Sequence, residues 1–219
     1  MSNSLIFIIN NLLFLGFSLG SVSLLVADYK MHNTFSIVPD WLQFIVGFLI
    51  LDIMIYTWHV FSHRVDFLWR FHKAHHSEKY LNTTSSVRFH IGELLISVLF
   101  KVVILIVFGI PLWVFVIHEA LITLFAAFHH SNIKLSPKIQ NIFEKIIITP
   151  DLHKTHHSTL RAEHDNNYGV IFSWWDIIFK TKSKAIPKEI GLALPKELGG
   201  EVIEEKTFRK FLLFPFKTK

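Results

Sequence analysis

The sequence predicts an all-α fold: an integral membrane four-helix domain with a cytosolic helical cap. Hydrophobic residues make up 51% of its 219 residues, charged residues only 18%, and 22 residues are Phe. Soluble domains rarely show this balance. The apolar residues form blocks long enough to cross a bilayer, and the charged residues collect between and after these blocks.

The spans are predicted from three apolar blocks, Leu5 to Ala27, Trp41 to Phe61, and Ile91 to Phe128. At about 1.5 Å per residue the last block is too long for one helix, and Gly109-Ile110-Pro111 divides it. Two helices of about 27 Å each result, Glu93 to Pro111 and Pro111 to His129. The first block lacks the basic region and cleavage site of a signal peptide, so we interpret it as a retained span.

Basic residues predict the orientation. Of the 22 Lys and Arg residues, 5 lie between His63 and His90 and 15 lie after His130. The positive-inside rule places both regions in the cytoplasm, which predicts a multi-pass protein of a bacterial inner membrane, or of the endoplasmic reticulum in a eukaryote. Lys101 falls inside the third span, where it either snorkels or marks a re-entrant path.

The chain divides into an N-terminal helix and loop (1–40), a membrane catalytic domain (41–182) and a cytoplasmic tail (183–219) that is rich in Lys, Glu and Pro. It contains no cysteine, which excludes disulfides, thiolate catalysis and Cys-ligated zinc or iron–sulfur sites. Any metal must therefore be held by His and carboxylates. The basic residues alternate with acids beside apolar segments, which favours anionic lipid headgroups over nucleic acid as a partner.

Ten of the 14 histidines form four groups that the predicted spans bring to one membrane face. Spacings of three and four residues place their rings on one side of a helix. Neutral imidazole is a good ligand for first-row metals, and two metal ions need about eight to ten ligands. The sequence therefore predicts a two-metal site, and its candidate ligands are His59, His63, His72, His75, His76, His129, His130, His153, His156 and His157.

Two acids inside predicted spans are candidate catalytic residues. Asp52 precedes His59 by seven residues and shares its helix face, and Glu119 stands eleven residues before His130. Each acid could orient a metal-ligating imidazole, carry a proton or face a substrate tunnel. A polar contact between helices is an equal alternative for each.

Residues outside these groups carry weaker predictions. His90 either caps a helix or orients a ligand, and His118 is expected to pack beside Glu119. The aromatic run 172–175 is predicted as an interfacial belt or amphipathic helix.

The histidine pattern resembles the fatty acid hydroxylase and sterol desaturase superfamily over roughly residues 45–182. The order HxxxH, HxxHH, HxxHH carries the resemblance, together with five strings: LWRFHKAHHS (68–77), RFH (88–90), FHHSN (128–132), TPDLHKTHH (149–157) and NYG (167–169) followed by WDIIF (175–179). The chain departs from the family at Ala126 and Ala127, where some branches have a further His, and at Ile91 and Lys180.

This resemblance implies a membrane-bound non-haem oxygenase with two iron ions, for which zinc can substitute. It implies O₂ and a lipid (a sterol, fatty acyl or ether lipid) as substrates, and a separate electron donor of the cytochrome b5 or ferredoxin type. The lipid would be hydroxylated or desaturated, and cleavage of an ether lipid is a further alternative. The resemblance assigns ligand roles to nine of the ten candidate histidines, and His129 is the tenth candidate beside His130. The active site is expected on the cytoplasmic face.

Two other functions fit the same imidazoles. A zinc-dependent membrane lipid hydrolase would use similar nitrogen ligands and would not need O₂. A metal transporter is the less favoured alternative, because transport sites lie near the bilayer midplane, whereas these groups lie at helix ends.

Overall fold

The computed structural model describes residues 38–193, 202–203 and 208–216. These parts are mostly helical, as predicted. The helices are α1 (Asp40–Arg64), α2 (Asp66–His72), α3 (Ile91–Phe108), α4 (Leu112–His129), α5 (Pro137–Phe143), α6 (Pro150–His156), α7 (Arg161–His164), α8 (Trp174–Ile178) and α9 (Phe208–Leu213). Short 3₁₀ turns cover His75–Ser77, Thr83–Val87 and Phe214–Phe216. The described residues also include one antiparallel pair of two-residue strands, β1 (Leu192–Ala193) and β2 (Val202–Ile203).

Within the described residues, α1, α3 and α4 are long and apolar enough to cross a membrane. They correspond to three of the four predicted spans. The predicted first span, Leu5 to Ala27, lies outside the described residues.

The ends of α3 follow from its flanking residues. The His90 ring caps its start, because Nδ1 accepts a hydrogen bond of 3.0 Å from the Gly92 N–H. This contact agrees with the capping alternative for His90. Gly109 ends the helix in the left-handed conformation at φ 64°, which costs glycine little, and Pro111 then precedes α4. The predicted break between the two helices is confirmed.

The three long helices share an apolar core and leave other sides exposed. Their buried core consists of Phe48, Leu51, Ile104, Leu105, Ile110, Val114 and Phe115, joined by Ile171 from the segment that follows α4 (residues 131–182, called the cap below). Leu99 and Leu124 are more than 60% exposed on the outer sides of α3 and α4. Apolar side chains on the outside of such helices match a lipid environment.

Lys101 lies within a continuous α3 and does not mark a re-entrant path. Its ammonium is 2.7 Å from Glu119 Oε2 on α4. An opposite charge at this distance offsets much of the cost of placing Lys101 inside a span.

A loop over residues 165–169 connects the cap to the helix ends. Asn167 adopts φ 54°, and its side-chain amide donates hydrogen bonds to the carbonyls of Leu152 and Ser183. The Asp176 carboxylate accepts from the Tyr168 and Gly169 N–H groups at 2.8 and 2.9 Å. Burial raises the pKa of Asp176 to about 6. The loop is therefore fixed at both sides.

The described part of the predicted tail packs on the protein body. Phe211 and Phe214 are buried against Ala74, which lies inside the first HxxHH motif. The Arg88 guanidinium stands 5.0 Å from the Phe211 ring, and His90 Nε2 donates to the Leu212 carbonyl. Residues 208–216 thus cover the outside of this motif.

We expect Gly169→Ala to destabilise the protein by about 1–3 kcal/mol, since overpacking at a fixed backbone typically costs this much. A Cβ at this position would lie 2.6 Å from the Phe172 carbonyl oxygen and 2.9 Å from Asp176 Oδ2. Thermal unfolding in detergent measures the effect. Gly47→Ala is the matched control, because its Cβ would meet only side chains, at 3.2 Å. Equal loss of stability in both variants would contradict the conclusion that the loop over residues 165–169 is held rigidly.

Candidate metal centre

Nine buried histidines form two groups at the ends of the long helices. In each group the ring nitrogens, one per residue, lie within 4.8 Å of one another. The first histidine group is His59, His63, His72, His76 and His156. The second histidine group is His75, His130, His153 and His157. The arrangement confirms that the predicted clusters converge, and either group could hold a metal ion.

Each HxxHH motif divides its histidines between the two groups. From the first motif, His72 and His76 face the first group and His75 faces the second. From the second motif, His156 faces the first group, whereas His153 and His157 face the second. Residues four apart share one side of a helical turn, and the residue between them points elsewhere. The spacing thus builds two adjacent sites from two short segments.

The first group is oriented by acceptors that bind the outer nitrogen of the ring. Nδ1 of His59 donates to the Tyr168 carbonyl at 2.7 Å, and Nδ1 of His156 donates to the Asn166 carbonyl at 2.8 Å. Nδ1 of His72 donates to Glu93 Oε1 at 2.6 Å. With the proton on Nδ1, each Nε2 carries a lone pair, and all three Nε2 atoms are buried without a hydrogen-bond partner. A metal ion accepts such a donor set.

The second group holds four Nε2 atoms at short range. His130 Nε2 lies 3.2 Å from that of His75 and 3.1 Å from that of His153, which is 3.1 Å from that of His157. His130 Nδ1 donates to the Ala126 carbonyl, so its Nε2 offers a lone pair. Metal–nitrogen bonds of about 2.1 Å place neighbouring ligands roughly 3.0–3.4 Å apart. The observed distances between the Nε2 atoms match those of ligands bound to one metal ion.

Burial favours the neutral form of six of these imidazoles. It lowers the pKa of His130 to about 4 and lowers the pKa of five further histidines of the cap and its junctions, with repulsion between neighbouring rings adding to the effect. The five are His75, His76, His153, His156 and His157. Because only the neutral ring can donate a lone pair to a metal, the surroundings favour the ligating form.

His129 lies beside the second group but outside both sets of converging nitrogens. Its ring centroid is 3.9 Å from that of His153, and its Nδ1 is buried without a hydrogen-bond partner. The structure therefore places His129 as a neighbour of His153.

The two candidate catalytic acids lie on either side of His118, between α1 and α4. Asp52 Oδ1 is 3.9 Å from His118 Nε2, and Glu119 Oε1 is 3.9 Å from its Nδ1. Asp52 Oδ2 also accepts a hydrogen bond of 2.6 Å from Trp175 Nε1. These contacts connect helices and the cap, and they join neither acid to the two histidine groups.

Sequence analysis missed the groups that orient the ligands. Glu93 was recognised only as part of a span, although an acid three residues after His90 at a helix start was an available signal. The carbonyls of Asn166 and Tyr168 could not be recognised from residue types, because every residue has a backbone carbonyl. Asp165 was also missed: its Oδ1 lies 3.5 Å from His63 Nδ1 and 3.6 Å from His164 Nε2.

Comparison with known proteins gives consistent matches. A family described as "Fatty acid hydroxylase" matches residues 44–181. Ornithine lipid hydroxylase OlsE of Rhizobium tropici is 32% identical over 143 residues, which cover 65% of this chain and 42% of that protein. Alkylglycerol monooxygenase is 31% identical in Danio rerio and 29% in Homo sapiens, covering 68% and 62% of this chain but 33% and 29% of the relatives. The chain thus spans less than half the length of these relatives. No solved structure matches it.

We expect His75→Ala and His156→Ala each to lower the metal content from about two ions to about one or fewer per chain, because each removes a ligand from a different group. Elemental analysis of purified protein measures this content. His90→Ala is the control, since His90 lies in neither group. Unchanged metal in both ligand variants would refute the assignment.

We expect Glu93→Gln to weaken metal binding roughly ten- to a hundredfold, because the charged partner of His72 is lost while the side-chain volume is kept. Competition with a chelator measures the affinity. The exposed Glu189→Gln is the matched control and should bind as the parent does. If the two variants bind equally, Glu93 is not the residue that orients His72.

Proposed function

Because the chain belongs to the fatty acid hydroxylase family, we propose that it is a membrane-bound oxygenase that hydroxylates a lipid with O₂. The observation that carries the proposal is the pair of adjacent groups of buried imidazoles at the ends of apolar helices. Both named relatives, an ornithine lipid hydroxylase and alkylglycerol monooxygenases, are oxygen-inserting enzymes of lipids. Their names support hydroxylation over desaturation.

We propose that each group holds one iron ion. When bound, two iron ions would supply the oxidising power to break an unactivated C–H bond with O₂ and external electrons. All-nitrogen ligands also suit zinc, which competes strongly for such sites, so zinc in a preparation does not exclude iron as the working metal. Electrons come from a separate donor of the cytochrome b5 or ferredoxin type.

The protein's contribution is orientation and the exclusion of water. The carbonyls of Tyr168 and Asn166 and the Glu93 carboxylate fix three rings of the first group. All nine ligand side chains are at most 8% exposed, which leaves a dry site that protects a reactive centre. Asp52 acts at a distance: it holds Trp175 and thereby the segment that presents the Tyr168 carbonyl.

We propose that the metal centre lies at the cytoplasmic face. Arg64, Arg70, Lys73 and Arg88 surround the first HxxHH motif, and a further 15 basic residues follow His130. This distribution matches the positive-inside rule. A lipid substrate would reach the centre from the adjoining leaflet.

We expect cells that produce the protein to accumulate a lipid 16 mass units heavier than its precursor, and 18 units heavier when grown under ¹⁸O₂. The mass shift arises because one atom of O₂ enters the C–H bond. Mass spectrometry of extracted lipids measures it. His156→Ala is the inactive control. A cleaved lipid that forms equally well without O₂ would refute the oxygenase and favour a zinc hydrolase.

A further inference from the structure

One segment of the cap runs alongside the middle of a membrane-spanning helix. Three contacts in four-residue steps join it to one face of α1: Phe172 to Phe48 with ring centroids 6.1 Å apart, Trp175 to Asp52 at 2.6 Å, and Phe179 stacked on Tyr56 at 5.4 Å. Four helical residues rise about 6 Å. Since α1 extends from Asp40 to Arg64, these contacts occupy the central part of a helix that is long and apolar enough to cross a membrane.

A second segment is bound to the first. The Ile148 N–H donates to the Ile171 carbonyl at 3.0 Å, and the Ser173 N–H donates to the Ile146 carbonyl at 3.1 Å. The Ser173 hydroxyl donates to the Glu144 carbonyl at 2.9 Å. We call residues 137–148 and 171–179 together the insertion unit. These bonds satisfy backbone groups inside the unit, as insertion into hydrocarbon requires.

The outward face of the insertion unit is apolar. Eight large hydrophobic side chains on it are 38–61% exposed. They are Ile139, Ile142, Phe143, Ile146, Trp174, Ile177, Ile178 and Phe179. Spacings of three and four residues place those of each segment on one side of its helix, and exposed apolar surfaces of this kind mark contact with a partner or a membrane.

The charges around this face are basic. Lys138, Lys145 and Lys180 are exposed at its margins. The unit contains two acids, Glu144 and Asp176, and both are buried. Glu144 pairs with the Lys184 ammonium, and Asp176 accepts from the backbone N–H groups of Tyr168 and Gly169. Apolar residues flanked by lysines are typical of segments that insert into a leaflet with anionic headgroups.

We propose that the insertion unit is embedded in the leaflet next to the metal centre, with its eight apolar side chains against acyl chains and its three lysines at anionic headgroups. The unit is too short and interrupted to count as a span, and it extends the lipid-facing surface of α1. The same segment holds Tyr168 and Gly169 through Asp176, and the Tyr168 carbonyl orients His59. Bilayer contact therefore also supports one ligand of the first histidine group.

Spin-label accessibility tests this proposal directly, because the chain has no cysteine and single cysteines can be introduced cleanly. Ile142→Cys, Ile146→Cys and Ile178→Cys carry nitroxides on the proposed face. Leu99→Cys, on a lipid-facing side of α3, is the lipid control, and Ala162→Cys, exposed on α7, is the water control. The purified protein is placed in vesicles of neutral and anionic phospholipid, and collisions with O₂ and with a water-soluble nickel chelate are compared.

We expect the three labels on the insertion unit to show high O₂ and low nickel accessibility, within about twofold of the Leu99→Cys value. Values equal to those of Ala162→Cys would show that the face meets water and would overturn the proposal. Low accessibility to both reagents would also overturn it, because another protein surface, such as residues 5–27 or a second copy, would then cover the face. Metal content measured on each labelled variant shows whether its fold is retained.

Discussion

Convergence of nine buried imidazoles on two points is the constraint on which the rest of the structure depends. A buried nitrogen left without a partner costs about 1–3 kcal/mol, so such a cluster persists only where surrounding bonds orient it and a cation can join it. The orienting groups come from distant parts of the chain: Glu93 begins a membrane helix, whereas Asn166 and Tyr168 belong to a loop of the cap. The cap must therefore pack directly on the helix ends, and the buried Asn167 and Asp176 side chains hold it there.

The three long helices also bury charged side chains, and these side chains lie next to partners of opposite charge. Glu119 pairs with the permanent cation of Lys101. The two ring nitrogens of His118 each face a carboxylate, one from Asp52 and one from Glu119. Opposite charges in contact lower the cost of burying each. The set joins α1, α3 and α4, and through Trp175 it reaches the cap. Polar residues in the spans thus connect layers of the protein, and the catalytic role of Asp52 and Glu119 stays a prediction.

Much of this arrangement could be predicted from the sequence because it depends on local spacing. The lengths of the apolar blocks located three spans, and Gly109 and Pro111 located the break. The spacing of the histidines predicted that their rings would converge. The sequence did not predict the division of each motif between two sites, since that depends on how the segments meet. Backbone carbonyls that orient His59 and His156 have no side-chain identity to detect. The packing of Phe211 and Phe214 on Ala74 was missed because a short apolar run in a charged tail resembles an unstructured segment.

The division of each HxxHH motif between both histidine groups has a consequence for how the centre is assembled. Neither site can be completed while one motif is out of place, because both sites draw on both segments. An ion that enters the first site would order the backbone of residues 72–76 and 153–157. Because the second site uses the same segments, a second ion would then bind with a smaller loss of conformational entropy. Metal binding should therefore be cooperative. Most molecules would hold either no metal ion or two, and few would hold one. The supply of metal would then determine how many molecules are active, but it would not change the activity of each molecule that holds both ions.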